Sequence, residues 1–295
     1  MSLKVYICLI IGIISISLAS IFAKFCHDVP SIIIATYRMT ISSIVLFAIF
    51  TPFNKINFGK LINKKNVIMC LSSGIFLSLH FVSWFLSIKL TNIASSVVLV
   101  TTSPIFLGII SKFILKKKLP KEITIAIILS FTGVLFIAQS DSNLFYKINQ
   151  KILLGDLLAL FGGFMASLYL LIGGIQRTRQ STLEYIILTY SFSALFLLFI
   201  SVTFNMPFAG YKPESYIFLI LLALIPQLVG HTSFNYVLKH LPTESVAITI
   251  LGEPVGASIL AYFIFDEKLQ LLQFIGMIFI LYSIILSTKK EFLYK

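Results

Sequence analysis

Three observations predict an all-α, polytopic membrane protein: ten transmembrane helices arranged as two inverted five-helix repeats. Hydrophobic residues fill 58% of the 295 positions and charged residues only 12%, about half the charged share of an ordinary soluble domain. Ten apolar stretches of about 20 residues, the length a helix needs to cross the hydrocarbon, follow one another along the chain. The segment from Lys89 to Leu119 reappears with unchanged spacing as Lys239 to Leu269.

The stretches lie near 4–24, 31–51, 67–88, 92–115, 122–140, 153–175, 184–205, 215–238, 243–265 and 270–288. The first opens at Lys4 and runs apolar. A cleaved signal peptide would look similar, but its removal would leave nine crossings and reverse the charge bias of every later loop. The second carries Arg38, the third His80 and Trp84, the fourth Pro104, the sixth Asp156, the eighth Pro226 and His231, and the ninth Glu253. In the tenth, Ile278 to Leu286 is apolar on every side. Barrel strands would instead alternate at period two, so the crossings are helices.

The net charge of +12 would suggest nucleic acid in a soluble protein, yet the placement of the cations assigns it to topology. Of 23 basic residues, 16 fall at the chain ends and in the even-numbered loops, among them Lys55, Lys60, Lys64, Lys65, Lys116 to Lys118, Arg177 and Arg179, and six fall on the other side. The positive-inside rule then puts both termini in the cytoplasm. Ten crossings is the even number this requires. No nucleic-acid partner is expected. Cys8, Cys26 and Cys70 show no metal-ligand spacing and no even disulfide framework, so they read as packing residues. No Walker loop is present, which leaves ATP-driven pumping without support. No metal and no cofactor are expected.

A shift of 150 superposes Ser83 on Ser233, Lys89 on Lys239, Ser95 on Ser245, Pro104 on Pro254 and Lys118 on Lys268 without a gap. Five crossings separate the copies, and an odd count turns the second upside down. The expected division is 1–145 for the first repeat and 146–295 for the second. Inverted repeats of this kind build secondary transporters, with solute held where the halves meet.

Glu253 is the foremost site candidate, because it lies about ten residues into a stretch of about 23 and charge at that depth costs roughly 2.5–3.5 kcal/mol. It must be protonated, paired or facing a wet cavity. A protonated, merely packing Glu beside a proline kink is the alternative. Pro254 frees a carbonyl one turn back, which is tolerated at depth only where buried or lining water. Gly252 and Gly256 form a G-x-x-x-G step, which reads as close helix approach or as a hinge, and Pro104 is the repeat mate of Pro254. His80 and Trp84 stand one turn apart on one face, suited to a ring-bearing or cationic solute or a proton relay, or to simple packing. His231 and Asn235 repeat that interval. Arg38 lies about two turns into its helix, where it can snorkel to the headgroups or draw an anionic group into the outer vestibule. Asp156 is a possible partner.

Taken together, Ala35 to Arg38, the run from His80 through Trp84 to Ser96 and Pro104, Gly155 to Ala159, Gly230 to Asn235, Leu251 to Val255 and Glu267 resemble the drug/metabolite transporter superfamily, specifically its EamA-like branch of ten-helix carriers. One departure is visible: Lys117 stands where that family often has an acidic residue. The resemblance implies a secondary transporter, not an enzyme, that moves small organic metabolites (amino-acid-like, nucleoside-like or drug-like), commonly outward. Alternating access is the expected mechanism, with Glu253 or a histidine as a proton-coupling group. The expected setting is multi-pass in a bacterial inner membrane, with the lipid bilayer and a small-molecule substrate as partners and the chain a monomer or homodimer. A passive channel or facilitator, and a membrane-embedded lipid-modifying enzyme, stay open as alternatives.

Overall fold

The computed structural model describes residues 2–50, 63–91, 93–139, 150–266 and 269–289. Lys55, Lys60, Glu267, Lys268 and the expected division at 145/146 lie outside the described residues. The described residues form ten helical segments: α1 (Leu3–Phe25), α2 (Ser31–Phe50), α3 (Lys64–Leu90), α4 in two pieces (Ile93–Val100 and Ser103–Ile114), α5 (Lys121–Gln139), α6 (Gln150–Gln176), α7 (Thr182–Thr203), α8 (Pro213–Val237), α9 (Thr243–Phe265) and α10 (Leu271–Lys289). Eight are long and apolar enough to cross a membrane as they stand. The break in α4 divides its length between two pieces. The 19 residues of α5 reach about 28 Å at 1.5 Å per residue, close to the thickness of the hydrocarbon.

Residue numbers carry the duplication. Adding 150 to the bounds of α5 gives 271–289, the bounds of α10, and the other four pairs agree to within a few residues. Packing repeats in the same way: α3 lies along α6 as α8 lies along α1, while α2 pairs with α7 and α5 with α10. Five crossings per copy invert the second relative to the first. The buried core lies among α1, α2, α3, α6, α7 and α8, and bulky apolar side chains such as Ile10, Phe47, Phe199 and Leu271 point outward, as a lipid-facing surface requires. Ten crossings bring the start of α1 and the end of α10 to one face, called here the terminal face.

The two helices that carry the repeated prolines are interrupted at matching positions, α4 at Thr101–Thr102 and α9 at Leu251. Pro104 and Pro254 lack the N–H that would close the turn, and their rings crowd the carbonyl four residues back, on Val100 and Ile250. Each break is seated against a partner helix through one glycine, but the glycine changes sides. A Cβ on Gly163 of α6 would lie 2.8 Å from the Val100 carbonyl oxygen and 2.9 Å from Thr102 Oγ1. In the other half the glycine is Gly252, on the broken helix itself, where a Cβ would come 2.9 Å from Ile13 of α1. Positions 13 and 163 are repeat mates, as are 102 and 252, so one bulky residue of the first half meets one bare residue of the second at each break. Gly256 packs on Ser17, whose hydroxyl donates to the Glu253 carbonyl at 3.3 Å. The G-x-x-x-G step is therefore a seat for α1.

Pro226 does more than kink α8. Residues Ala223–His231 adopt π-helical geometry, whereas the equivalent stretch of α3 is regular α-helix. Such wide turns are frequent at functional sites, and this one carries Gln227 and His231 toward the centre of the molecule.

Candidate functional site

Where the breaks of α4 and α9 face one another, the helices leave a cavity of about 60 Å³, room for about two waters. Its wall includes Arg38, His80, Phe81, Trp84, Tyr169, His231 and Glu253. Five of the six residues expected to bind solute are thus brought together: Arg38, His80, Trp84, His231 and Glu253. Asn235 is not among them. It lies one turn closer to the terminal face, 1% exposed, where its Nδ2 donates to Tyr169 Oη at 2.7 Å and Tyr190 Oη at 3.2 Å.

Arg38 corrects the expectation of an anchor near the headgroups. It is 1% exposed, its Nε donates to Gln227 Oε1 at 2.8 Å, and its guanidinium carbon sits 4.1 Å from the centroid of the Phe81 ring. A desolvated cation over a ring gains about 2 kcal/mol, and one hydrogen bond adds to it, but Nη1 has no partner. The guanidinium therefore reaches the cavity with donors to spare. It is close enough to Glu253 for each to feel the other's charge.

The His80 and Trp84 rings are parallel within 6°, centroids 6.3 Å apart, as their one-turn spacing predicts. His80 Nδ1 is held 3.0 Å from the Gly162 carbonyl oxygen, which orients the ring. Trp84 keeps its indole N–H unpaired in a buried setting. His231 meets the edge of Phe81 at 5.5 Å. Phe81 and Tyr169 escaped the sequence reading, because aromatic residues abound in this chain and spacing alone does not say which face of a helix turns inward. The cavity also draws on α1, through Ile16 and Ala19, and on α6, through Tyr169 and Leu170.

Away from the terminal face the cavity adjoins a vestibule of about 580 Å³, within the range of small-molecule sites. Val97 lines both spaces, and Glu253 and Pro254 face one each. Lys24, His27 and Lys89 lie at the vestibule's outer end, with Ala257, Ser258 and Ala261 along the wall. Toward the terminal face the packing is closed by hydrogen bonds between helices. Ser73 and Tyr185 meet at 2.6 Å, Ser78 and Ser193 at 2.7 Å, Ser111 donates to Glu244, and Arg177 donates to the Asn235 carbonyl at 2.9 Å.

The same chain matches the profile of the EamA-like transporter family twice, over residues 3–139 and again over 153–289. The chain belongs to the EamA-like transporter family. Both matches start and end 150 residues apart, the offset that relates the helices. Among its relatives is an uncharacterized transporter of Archaeoglobus fulgidus, 24% identical over 212 residues that cover 70% of this chain and 71% of that protein. Another is the uncharacterized transporter YetK of Bacillus subtilis, 25% identical over 277 residues, 89% of this chain and 80% of the relative. One crystal structure superposes with a TM-score of 0.81 over 99% of each chain at 14% identity; at that identity it shows the fold alone. An EamA-like chain is a membrane-embedded, multi-pass protein of a transporter family, and here the interruptions of its two repeat-related helices meet at one mainly apolar cavity that Arg38, His80, His231 and Glu253 furnish with polar groups.

Proposed function

We propose that this protein is a secondary transporter that exports small organic metabolites across a bacterial inner membrane by alternating access, its termini in the cytoplasm. The observation that carries the reading is the cavity at the meeting of two broken helices, closed toward one face and adjoining a vestibule toward the other. A carrier needs this arrangement in at least one of its states; an open pore would need a path through both faces. Broken helices at mid-membrane are also where transporters hold solute. The cavity offers unpaired N–H donors from Arg38 and Trp84 and a carboxylate on Glu253, flanked by rings. That set suits a small solute carrying an acceptor group and a flat apolar part. The chain acts as monomer or homodimer and performs no covalent chemistry.

Glu253 is the proposed proton-coupling group, with Arg38 as the fixed charge beside it. One charge moved through the whole potential supplies ~2.3 kcal/mol per 100 mV, roughly a 45-fold concentration ratio. Solute counterflow in proteoliposomes tests the class: transient accumulation of labelled solute is expected of a carrier, and its absence across a panel of amino acids, nucleosides and cationic dyes would count against the proposal. Glu253→Gln should keep counterflow while abolishing acceleration by a pH gradient. Unchanged proton dependence in that variant would remove Glu253 from the coupling step.

A further inference from the structure

The repeat lets each hydrogen bond that shuts the terminal face be compared with the pair standing in the equivalent place toward the opposite face. Ser73 and Tyr185, bonded at 2.6 Å across α3 and α7, have as mates Ala223 and Ala35. Asn235 and Tyr169, bonded at 2.7 Å across α8 and α6, have Phe85 and Ala19. Ser111 and Glu244, bonded across α4 and α9, have Ala261 and Ala94. All six mates have side chains with neither donor nor acceptor. Moreover, Ala19 lines the cavity, and Phe85 and Ala261 line the vestibule, so space is open where two of the three bonds are missing; Ala35 and Ala223 are fully buried.

Two inverted copies of one backbone would, with equal side chains, make the two access states near mirror images of similar free energy. Bonds toward the opposite face, such as Thr36–Ser201 at 2.9 Å and Ser215–Asp28 at 2.6 Å, stand while the vestibule is open and so do not shut it; the three ties that shut the terminal face have no mates there and break that balance. Resting on the alternating-access reading above, we infer that the pairs Ser73–Tyr185, Tyr169–Asn235 and Ser111–Glu244 are a one-sided latch that holds the unloaded carrier closed at its terminal face and open at the other. Each tie, at the usual net value of a hydrogen bond, shifts the ratio of states by about two- to tenfold, and three together shift it by tenfold or more.

Single-cysteine reporters read this directly, in a chain whose Cys8, Cys26 and Cys70 are replaced by alanine and whose terminal face is located by a tag. Ala257→Cys reports the vestibule it lines. Ala247→Cys reports opening at the terminal face, because Ala247 is fully buried and is the mate of Val97, which lines the vestibule. A membrane-impermeant maleimide, applied to intact cells and to inverted vesicles, should label Ala257→Cys and spare Ala247→Cys. Adding Tyr185→Phe or Asn235→Leu should raise labelling of Ala247→Cys from the terminal side by about two- to tenfold and lower that of Ala257→Cys. Rates unmoved in both backgrounds would overturn the latch. Because labelling needs no transported solute, a chain that shows these shifts but no counterflow would refute the transport reading and keep the latch.

Discussion

Gly163→Ala is the most demanding test of how the broken helices are seated. The added methyl would stand 2.8 Å from the Val100 carbonyl oxygen, 2.9 Å from Thr102 Oγ1 and 3.1 Å from the Leu99 carbonyl oxygen. A carbon approaches a carbonyl comfortably at about 3.3–3.6 Å, so the α4 backbone must retreat by about 0.5 Å at its break. Two of the three atoms are backbone, which can move only by shifting the helix end. Overpacking of this kind costs about 1–3 kcal/mol, against about 1 kcal/mol that alanine returns as a better helix former. A net destabilisation of up to about 2 kcal/mol is expected, with reduced transport. Gly252→Ala meets only the side chain of Ile13, at 2.9–3.1 Å, which can rotate away. It should cost less, and Ile13→Ala should rescue it. Unfolding of the purified variants by titration with sodium dodecyl sulfate in mixed micelles measures both. A Gly163→Ala protein as stable as the parent, or Gly252→Ala the worse of the two, would refute the account of the seats.

Three other outcomes follow from the cavity and the loops. Trp84→Ala should weaken binding of ring-bearing solutes by about two- to tenfold, since loss of a stacked ring is worth about 0.5–1.5 kcal/mol, and should leave small aliphatic solutes nearly unaffected in counterflow competition; equal loss for all would indicate damaged packing. Arg38→Lys keeps the charge but not the planar fork that bonds Gln227 and stacks on Phe81, so transport should fall about tenfold or more while membrane insertion, read by protease protection, stays intact. In the loop between α1 and α2, hydrogen bonds from Ser215 Oγ at 2.6 Å and from the Lys212 N–H at 2.8 Å hold the Asp28 carboxyl below its ordinary value of 3.8. Its stabilisation is therefore complete above that value and is lost as pH falls through the lower folded value. The stability gap between the parent and Asp28→Asn should stay constant from neutrality down to about pH 4 and close below it, in the same micelle titration.

Crossings, repeat and breaks were legible because each depends on properties that accumulate along the chain. Apolar length decides span, parity decides inversion, and Pro104 and Pro254 mark where a helix cannot continue. Rotation about each helix axis was not legible. In lipid both the inner and the outer face are apolar, so position along the chain gives depth but not direction. Arg38 illustrates the point: two turns from a helix end is equally consistent with a headgroup anchor and with the buried cation resting on Phe81. The His80–Trp84 pair was recoverable because one-turn spacing ties two side chains to one face wherever that face points. Asn235 kept its spacing from His231 but missed the cavity, because the π-helical stretch of α8 ends at His231 and Asn235 lies beyond it, engaged with Tyr169 and Tyr190. The wide turn itself had only Pro226 as a signal, and a proline does not say whether the backbone will bend or widen.

The exchanged glycines give the two halves fixed complementary identities. If two copies of the first half associated with each other, Ile13 would be driven against Thr102; two copies of the second would set Gly163 opposite Gly252 and leave a void. Only the mixed pairing offers a knob to each hole. The duplicated modules have thereby lost the freedom to self-assemble, and the symmetry still visible in the backbone has become an obligate marriage of unlike surfaces.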